Sequence, residues 1–162
     1  MKVAVIMGSL SDLSKVEAAV EILKKYNVEV AVRCLSAHRA HNELSEFMEE
    51  VNSNGTEVVI AAAGMAAALP GVVASQTVLP VIGVPLSGSV LDGTDALYSI
   101  VQMPSGIPVA TVAINGSKNA AWLALEIMAI KHDELKEALL KERVKMREDA
   151  VKANEEVIAK FN

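Results

Sequence analysis

The stretch VVIAAAGMAAALPGVVASQTVLPVIGVPLSGSVL, residues 58–91, carries no charged side chain. A run of this length raises the possibility of a membrane-spanning helix. Gly64, Pro70, Gly71, Pro80, Gly83, Pro85 and Gly88 interrupt it every few residues, a density that a continuous helix does not tolerate. Strands of a parallel sheet, buried on both faces, also read as uncharged apolar runs. The stretch therefore divides into strands at 57–63 and 81–84, with a small-residue helix at 66–77 between them.

The same alternation continues on both sides of the run. Residues 3–7 form a short β-branched strand, and 11–25 follow with Leu13, Val16, Val20 and Leu23 at helical spacing. A second strand is expected at 28–35 and a helix with an acidic outer face at 42–52, ended by Asn54-Gly55. Beyond the uncharged run come a helix at 95–103, a strand at 109–114 and helices at 119–131 and 133–159. Strands separated by helix-length segments require parallel, right-handed crossovers with helices on both faces. The expected class is α/β, a three-layer sandwich around a flavodoxin-like or Rossmann-like parallel sheet. One domain spans 1–162, with an α/β core at 1–131 and a long C-terminal helix in 132–162. That helix either folds on its own domain or packs against other subunits.

Composition narrows the function. Hydrophobic residues make up 52% of the chain but aromatic ones only 3%, which argues against an aromatic platform for sugars or single-stranded nucleic acid. The net charge of −5 comes without any polybasic patch, so nucleic acid and membrane surfaces are poor partners. The single cysteine, Cys34, excludes an intrachain disulfide framework. MKVAVIMGS enters a strand pattern without the apolar core of a secretory signal, so a cytoplasmic location is expected.

In parallel α/β sheets ligands sit beyond the carboxyl ends of the strands. That rule directs attention to four loops: 8–12, 36–41, 64–71 and 85–94. Gly8-Ser9-Leu10-Ser11-Asp12 opens a helix, so amides, hydroxyls and the helix's positive end converge as in an anion site. The alternative is that Ser11 or Asp12 only caps that helix. Ser36-Ala37-His38-Arg39 sets a guanidinium, which can fork onto phosphate, beside an imidazole, which moves protons near neutral pH. His41 reads as a helix-start residue. The segment Gly64 to Gly71 has no side-chain chemistry, but its small residues let a flat ligand approach the backbone; helix packing is the other reading. There is no H-E-x-x-H, Cys/His cluster, EF-hand loop or G-x-S-x-G, and therefore no metal site is expected.

Taken in order, M-G-S-x-S-D (7–12), S-A-H-R (36–39), A-A-x-L-P-G (66–71), P-V-I-G-V-P (80–85) and the long segment from Leu91 to Ile114 resemble the PurE family of purine biosynthesis over residues 1 to about 131. The resemblance implies an enzyme, a mutase that converts N5-carboxyaminoimidazole ribonucleotide to 4-carboxy-5-aminoimidazole ribonucleotide. Ser9, Ser11 and Asp12 would hold ribose and phosphate, Ser36 and Arg39 would complete the phosphate cradle, and His38 would carry the proton. Gly64, Met65, Ala66, Ala67 and Leu69 would enclose the imidazole and the carbon dioxide released in the pocket. The resemblance further implies no cofactor and a homo-octamer of flavodoxin-like subunits.

Two positions depart from the family's mutase pattern. Ala68 stands where that pattern has a second histidine, in A-A-H-L-P-G, and His41 stands where it has proline. Alanine at 68 resembles the class that carboxylates aminoimidazole ribonucleotide directly with carbon dioxide, whereas Arg39 and the Q-M-P segment resemble the mutases. Direct carboxylation and a catalytically silent nucleotide-binding paralogue are the alternative readings.

Overall fold

The computed structural model describes residues 1–161. Its strands are β1 (Lys2–Met7), β2 (Glu29–Cys34), β3 (Val58–Gly64), β4 (Val81–Leu86) and β5 (Ala110–Thr111). They pair in parallel in the order β2-β1-β3-β4-β5, the flavodoxin-like order. The helices are α1 (Leu13–Lys25), α2 (His41–Ser53), α3 (Leu69–Ala74), α4 (Thr94–Val101), α5 (Ser117–Met128) and α6 (Asp133–Phe161).

Strand periodicity of two splits the core into two layers. Val3, Val5 and Met7 of β1 join Val58, Ile60 and Ala62 of β3 on the face covered by α1 and α5. Ala4 and Ile6, with Val59, Ala61 and Ala63, face α2, α3 and α4. β1, β3 and β4 are buried almost throughout, which is why the central sequence needs no charge. β2 is an edge strand, half-buried and exposed along its length. No described helix is long and apolar enough to cross a membrane.

Two elements differ from their expected extents. The helix expected at 66–77 is only Leu69–Ala74, because Met65 and Ala67 take positive φ of 57° and 39° and break the chain direction before Pro70 restarts it. The strand expected at 109–114 is regular only at Ala110–Thr111, although the Val112 N–H still donates to the Gly83 carbonyl at 3.1 Å and the Asn115 N–H to the Pro85 carbonyl at 2.8 Å. Pro108 offers no N–H before it, and a turn closes behind it where the Gly116 N–H donates to the Ala113 carbonyl at 2.8 Å. The other boundaries shift by a few residues; α1, for instance, is preceded by a tight 3₁₀ turn over Leu10–Asp12.

The last helix touches the body only at its root. Leu135 is buried, Leu139 packs beside it, and Glu142 accepts from Lys25 Nζ at 3.2 Å and Tyr26 Oη at 3.1 Å. Partial burial, reinforced by the neighbouring Glu142 carboxylate, pushes the Tyr26 phenol up to about 12. Arg143 pairs with Glu126 of α5 at 2.6 Å, and from Val144 to Phe161 every residue is exposed, so this last part of α6 does not fold on its own domain.

Candidate active site

The four loops that follow β1 to β4 meet in one cleft of about 620 Å³, within the usual range for small-molecule sites. It lies at the carboxyl end of the sheet, across the point between β1 and β3 where strand order reverses. A second cavity, about 860 Å³, lies at the other end of the sheet beside Pro80 and Val81. No charged residue lines it, so it offers no acid–base group.

After β1, Ser9 is extended and caps the 3₁₀ turn, its hydroxyl accepting from the Ser11 N–H at 3.4 Å and from the Ser11 hydroxyl at 2.9 Å. The Asp12 side chain makes no cap hydrogen bond to α1 and instead lines the cleft. Burial pushes its carboxyl up, opposed by the positive charge of Lys15 and by a backbone hydrogen bond from Ser9.

After β2, a turn closes where the Ala40 N–H donates to the Ser36 carbonyl at 2.9 Å. Ser36, Ala37, His38 and Arg39 all line the cleft. His38 and Arg39 are exposed, and among the described residues neither side chain is engaged in a hydrogen bond or ion pair. His41 opens α2 and does not line the cleft.

After β3, the floor is backbone and methyl groups. A Cβ on Gly64 would lie 3.1 Å from the Leu86 carbonyl oxygen, so glycine sets how closely this loop approaches β4. The Ala67 N–H donates to the Gly64 carbonyl at 3.0 Å, which tightens the turn and leaves Met65 exposed at the cleft's mouth. Ala66, Ala67, Ala68 and Leu69 complete the lining.

Every residue expected at the site except His41 therefore contributes to the same cleft. Sequence reasoning singled out the loop after β4 but none of the residues it contributes, Ser87, Gly88 and Ser89, and it passed over Lys15 entirely. Lys15 sits one turn into α1, outside any loop, and its partner is the Ser87 carbonyl, 72 residues away in the chain. The arrangement sets the Arg39 guanidinium and the hydroxyls of Ser9, Ser11 and Ser36 in one cleft with an imidazole, over a floor of backbone and methyl groups.

The family described as AIR carboxylase matches residues 2–149. Over 146 residues the chain is 52% identical to the N5-carboxyaminoimidazole ribonucleotide mutase of Pyrococcus abyssi, covering 90% of this chain and 84% of that one. It is 49% identical over 159 residues, 98% of its own length, to the phosphoribosylaminoimidazole carboxylase of Candida glabrata, 26% of which is covered. Among solved structures, Treponema denticola PurE is similar with a TM-score of 0.80 at 31% identity, covering 93% of this chain and 97% of that one.

Proposed function

The chain belongs to the AIR carboxylase (PurE) family, and we propose from that premise that it converts N5-carboxyaminoimidazole ribonucleotide to 4-carboxy-5-aminoimidazole ribonucleotide in purine biosynthesis. The observation that carries this reading is the single cleft shared by His38, Arg39 and the backbone floor from Gly64 to Leu69.

In this reaction a carboxyl group leaves the exocyclic nitrogen as carbon dioxide and is captured by C4, the enamine-like carbon of aminoimidazole. The nitrogen gains a proton and C4 loses one, so no net proton is consumed. A single imidazole that donates the first proton can accept the second, and His38 takes that role. Arg39 with Ser9, Ser11 and Ser36 holds the phosphate, and Asp12 accepts hydrogen bonds from the ribose hydroxyls. The Ala and Gly floor keeps water from the released carbon dioxide, so catalysis is mostly positioning and one proton relay.

Direct carboxylation of aminoimidazole ribonucleotide is the second reading, favoured by one residue: Ala68 brings a methyl group to the cleft wall where the mutase pattern has an imidazole. A product assay separates the two. The N5-carboxylated nucleotide, without bicarbonate, is expected to yield the C4-carboxylated product. Product formed only from the unmodified nucleotide plus bicarbonate would establish the direct carboxylase. Tight nucleotide binding with neither product would establish a silent binder.

The same reading includes a cytoplasmic homo-octamer. Its support is the exposed apolar series Val144, Val151, Val157, Ile158 and Phe161 along α6, more apolar surface than an isolated helix leaves in water. Light scattering at micromolar concentration tests it, and a monomer would overturn it.

A further inference from the structure

Lys15 has no part in the roles assigned above, yet it ties the loop after β4 to α1 and to the start of α5. Its ammonium donates to the Ser87 carbonyl at 2.6 Å, and its own backbone carbonyl accepts from the buried Ser117 hydroxyl at 2.5 Å. Ser87 is gripped from the other side as well: Asn115 Oδ1 accepts from its N–H at 3.1 Å, and Asn115 Nδ2 donates to its hydroxyl at 2.8 Å. All of the hydrogen-bonding groups of Ser87, main chain and side chain, are thus held by α1 and by the loop before α5.

That grip matters because the segment it fixes has little structure of its own. Residues 87–89 belong to no helix or strand, and Gly88 takes a φ of 116°. Ser89 is anchored further on, where its hydroxyl donates to Asp95 Oδ1 at 2.8 Å. In the strand order β2-β1-β3-β4 this loop forms the flank opposite His38 and Arg39.

We propose that Lys15 is a positioning residue for the carboxyl-transfer reaction: its ammonium fixes Ser87–Ser89 as the far wall of the cleft and keeps a positive charge beside Asp12. The proposal rests on the functional reading above. The ionisable side chains lining the cleft are Asp12, Lys15, His38 and Arg39. Of these, Lys15 is the cation that lowers the Asp12 carboxyl against the upward push of burial. Removing the ammonium therefore lets Asp12 protonate at higher pH, and a protonated Asp12 is a weaker acceptor for ribose hydroxyls.

The test compares the whole protein with Lys15→Met, which keeps the aliphatic stem, and Lys15→Arg, which keeps charge and donor. With the N5-carboxylated nucleotide, Lys15→Met is expected to raise KM roughly tenfold, the scale of one lost charge-assisted hydrogen bond, with kcat little changed. The acid limb of its KM profile should move to higher pH, amide exchange at residues 87–89 should speed up, and Lys15→Arg should restore all three. Unchanged KM and exchange in Lys15→Met would overturn the proposal, as would a collapse of kcat at constant KM, which would make Lys15 a catalytic group. If the unmodified protein turns over no N5-carboxylated nucleotide, the functional reading falls separately, and exchange at 87–89 still decides whether Lys15 holds the loop.

Discussion

Ile100 of α4 lies so close over Gly83 of β4 that a Cβ on the glycine would stand 2.4 Å from Ile100 Cγ2, and 2.8 Å from Val109 Cγ1. No carbon pair tolerates that separation, and both obstructing methyls belong to stiff β-branched side chains. Glycine at 83 is therefore what lets α4 descend onto the sheet, and α4 in turn anchors the loop carrying Ser87 and Ser89. Gly83→Ala should destabilise the fold by about 1–3 kcal/mol, the usual scale of overpacking, read as a fall in the urea midpoint. Ile100→Ala should cost less in the Gly83→Ala background than alone, since it vacates the space the new methyl needs. Strictly additive losses would mean that the contact is not what glycine protects.

His38 and Arg39 are neighbours with different expected roles, and kinetics separates them. His38→Asn should keep nucleotide affinity near normal while kcat falls roughly 100-fold or more, as when an acid–base group is lost. Arg39→Ala should act chiefly on KM, and the unmodified protein should bind the nucleotide far more tightly than the nucleoside. Near-normal turnover in His38→Asn, or equal affinity for nucleoside and nucleotide, would remove the assignment concerned.

At Met65 the backbone carries strain that a glycine would relieve. Its φ of 57° lies in the left-handed region, which costs an L-residue roughly 1–2 kcal/mol. Met65→Gly relieves that cost but adds chain entropy to the unfolded state, so stability should stay level or rise by up to about 1 kcal/mol. A glycine inside a regular helix would instead lower stability by about 1 kcal/mol. The sign of the change in a denaturant titration thus tests the conformation of this loop directly.

The same segment marks the limit of what could be read from sequence. Residues 66–77 are rich in Ala, a good helix former, and local propensity extends a helix back through Ala66. The helix begins only at Leu69 because the loop must turn beneath Leu86, a tertiary demand that no local pattern carries. The strands were legible because β1, β3 and β4 are buried on both faces, and burial leaves a compositional trace in the uncharged run. His38 and Arg39 were legible because a polar pair at a strand's carboxyl end is conspicuous. Lys15 was not: a lysine on an amphipathic helix looks like any solvated lysine until the sheet order brings Ser87 beside it.

Ala68 is the position where residue and family pattern disagree, and the two reactions predict opposite outcomes there. Ala68 is half-buried on the cleft wall, immediately before α3, with its side chain on no hydrogen-bonding duty. If the chain is a mutase, an imidazole at this position has carboxylate to orient or a proton to relay, and Ala68→His should raise turnover of the N5-carboxylated nucleotide. If it is a direct carboxylase shaped around a methyl group, the ring's extra atoms crowd a packed wall and activity falls on both substrates. His41 offers no substitute from its place in the structure, since it opens α2 outside the cleft lining, so His41→Ala should leave turnover within about twofold, as expected for an exposed residue off the site. The expected pattern is a gain for Ala68→His on the N5-carboxylated nucleotide with little effect from His41→Ala. Measuring both variants on both substrates checks it, and a loss from Ala68→His on the N5-carboxylated nucleotide would turn the assignment toward direct carboxylation.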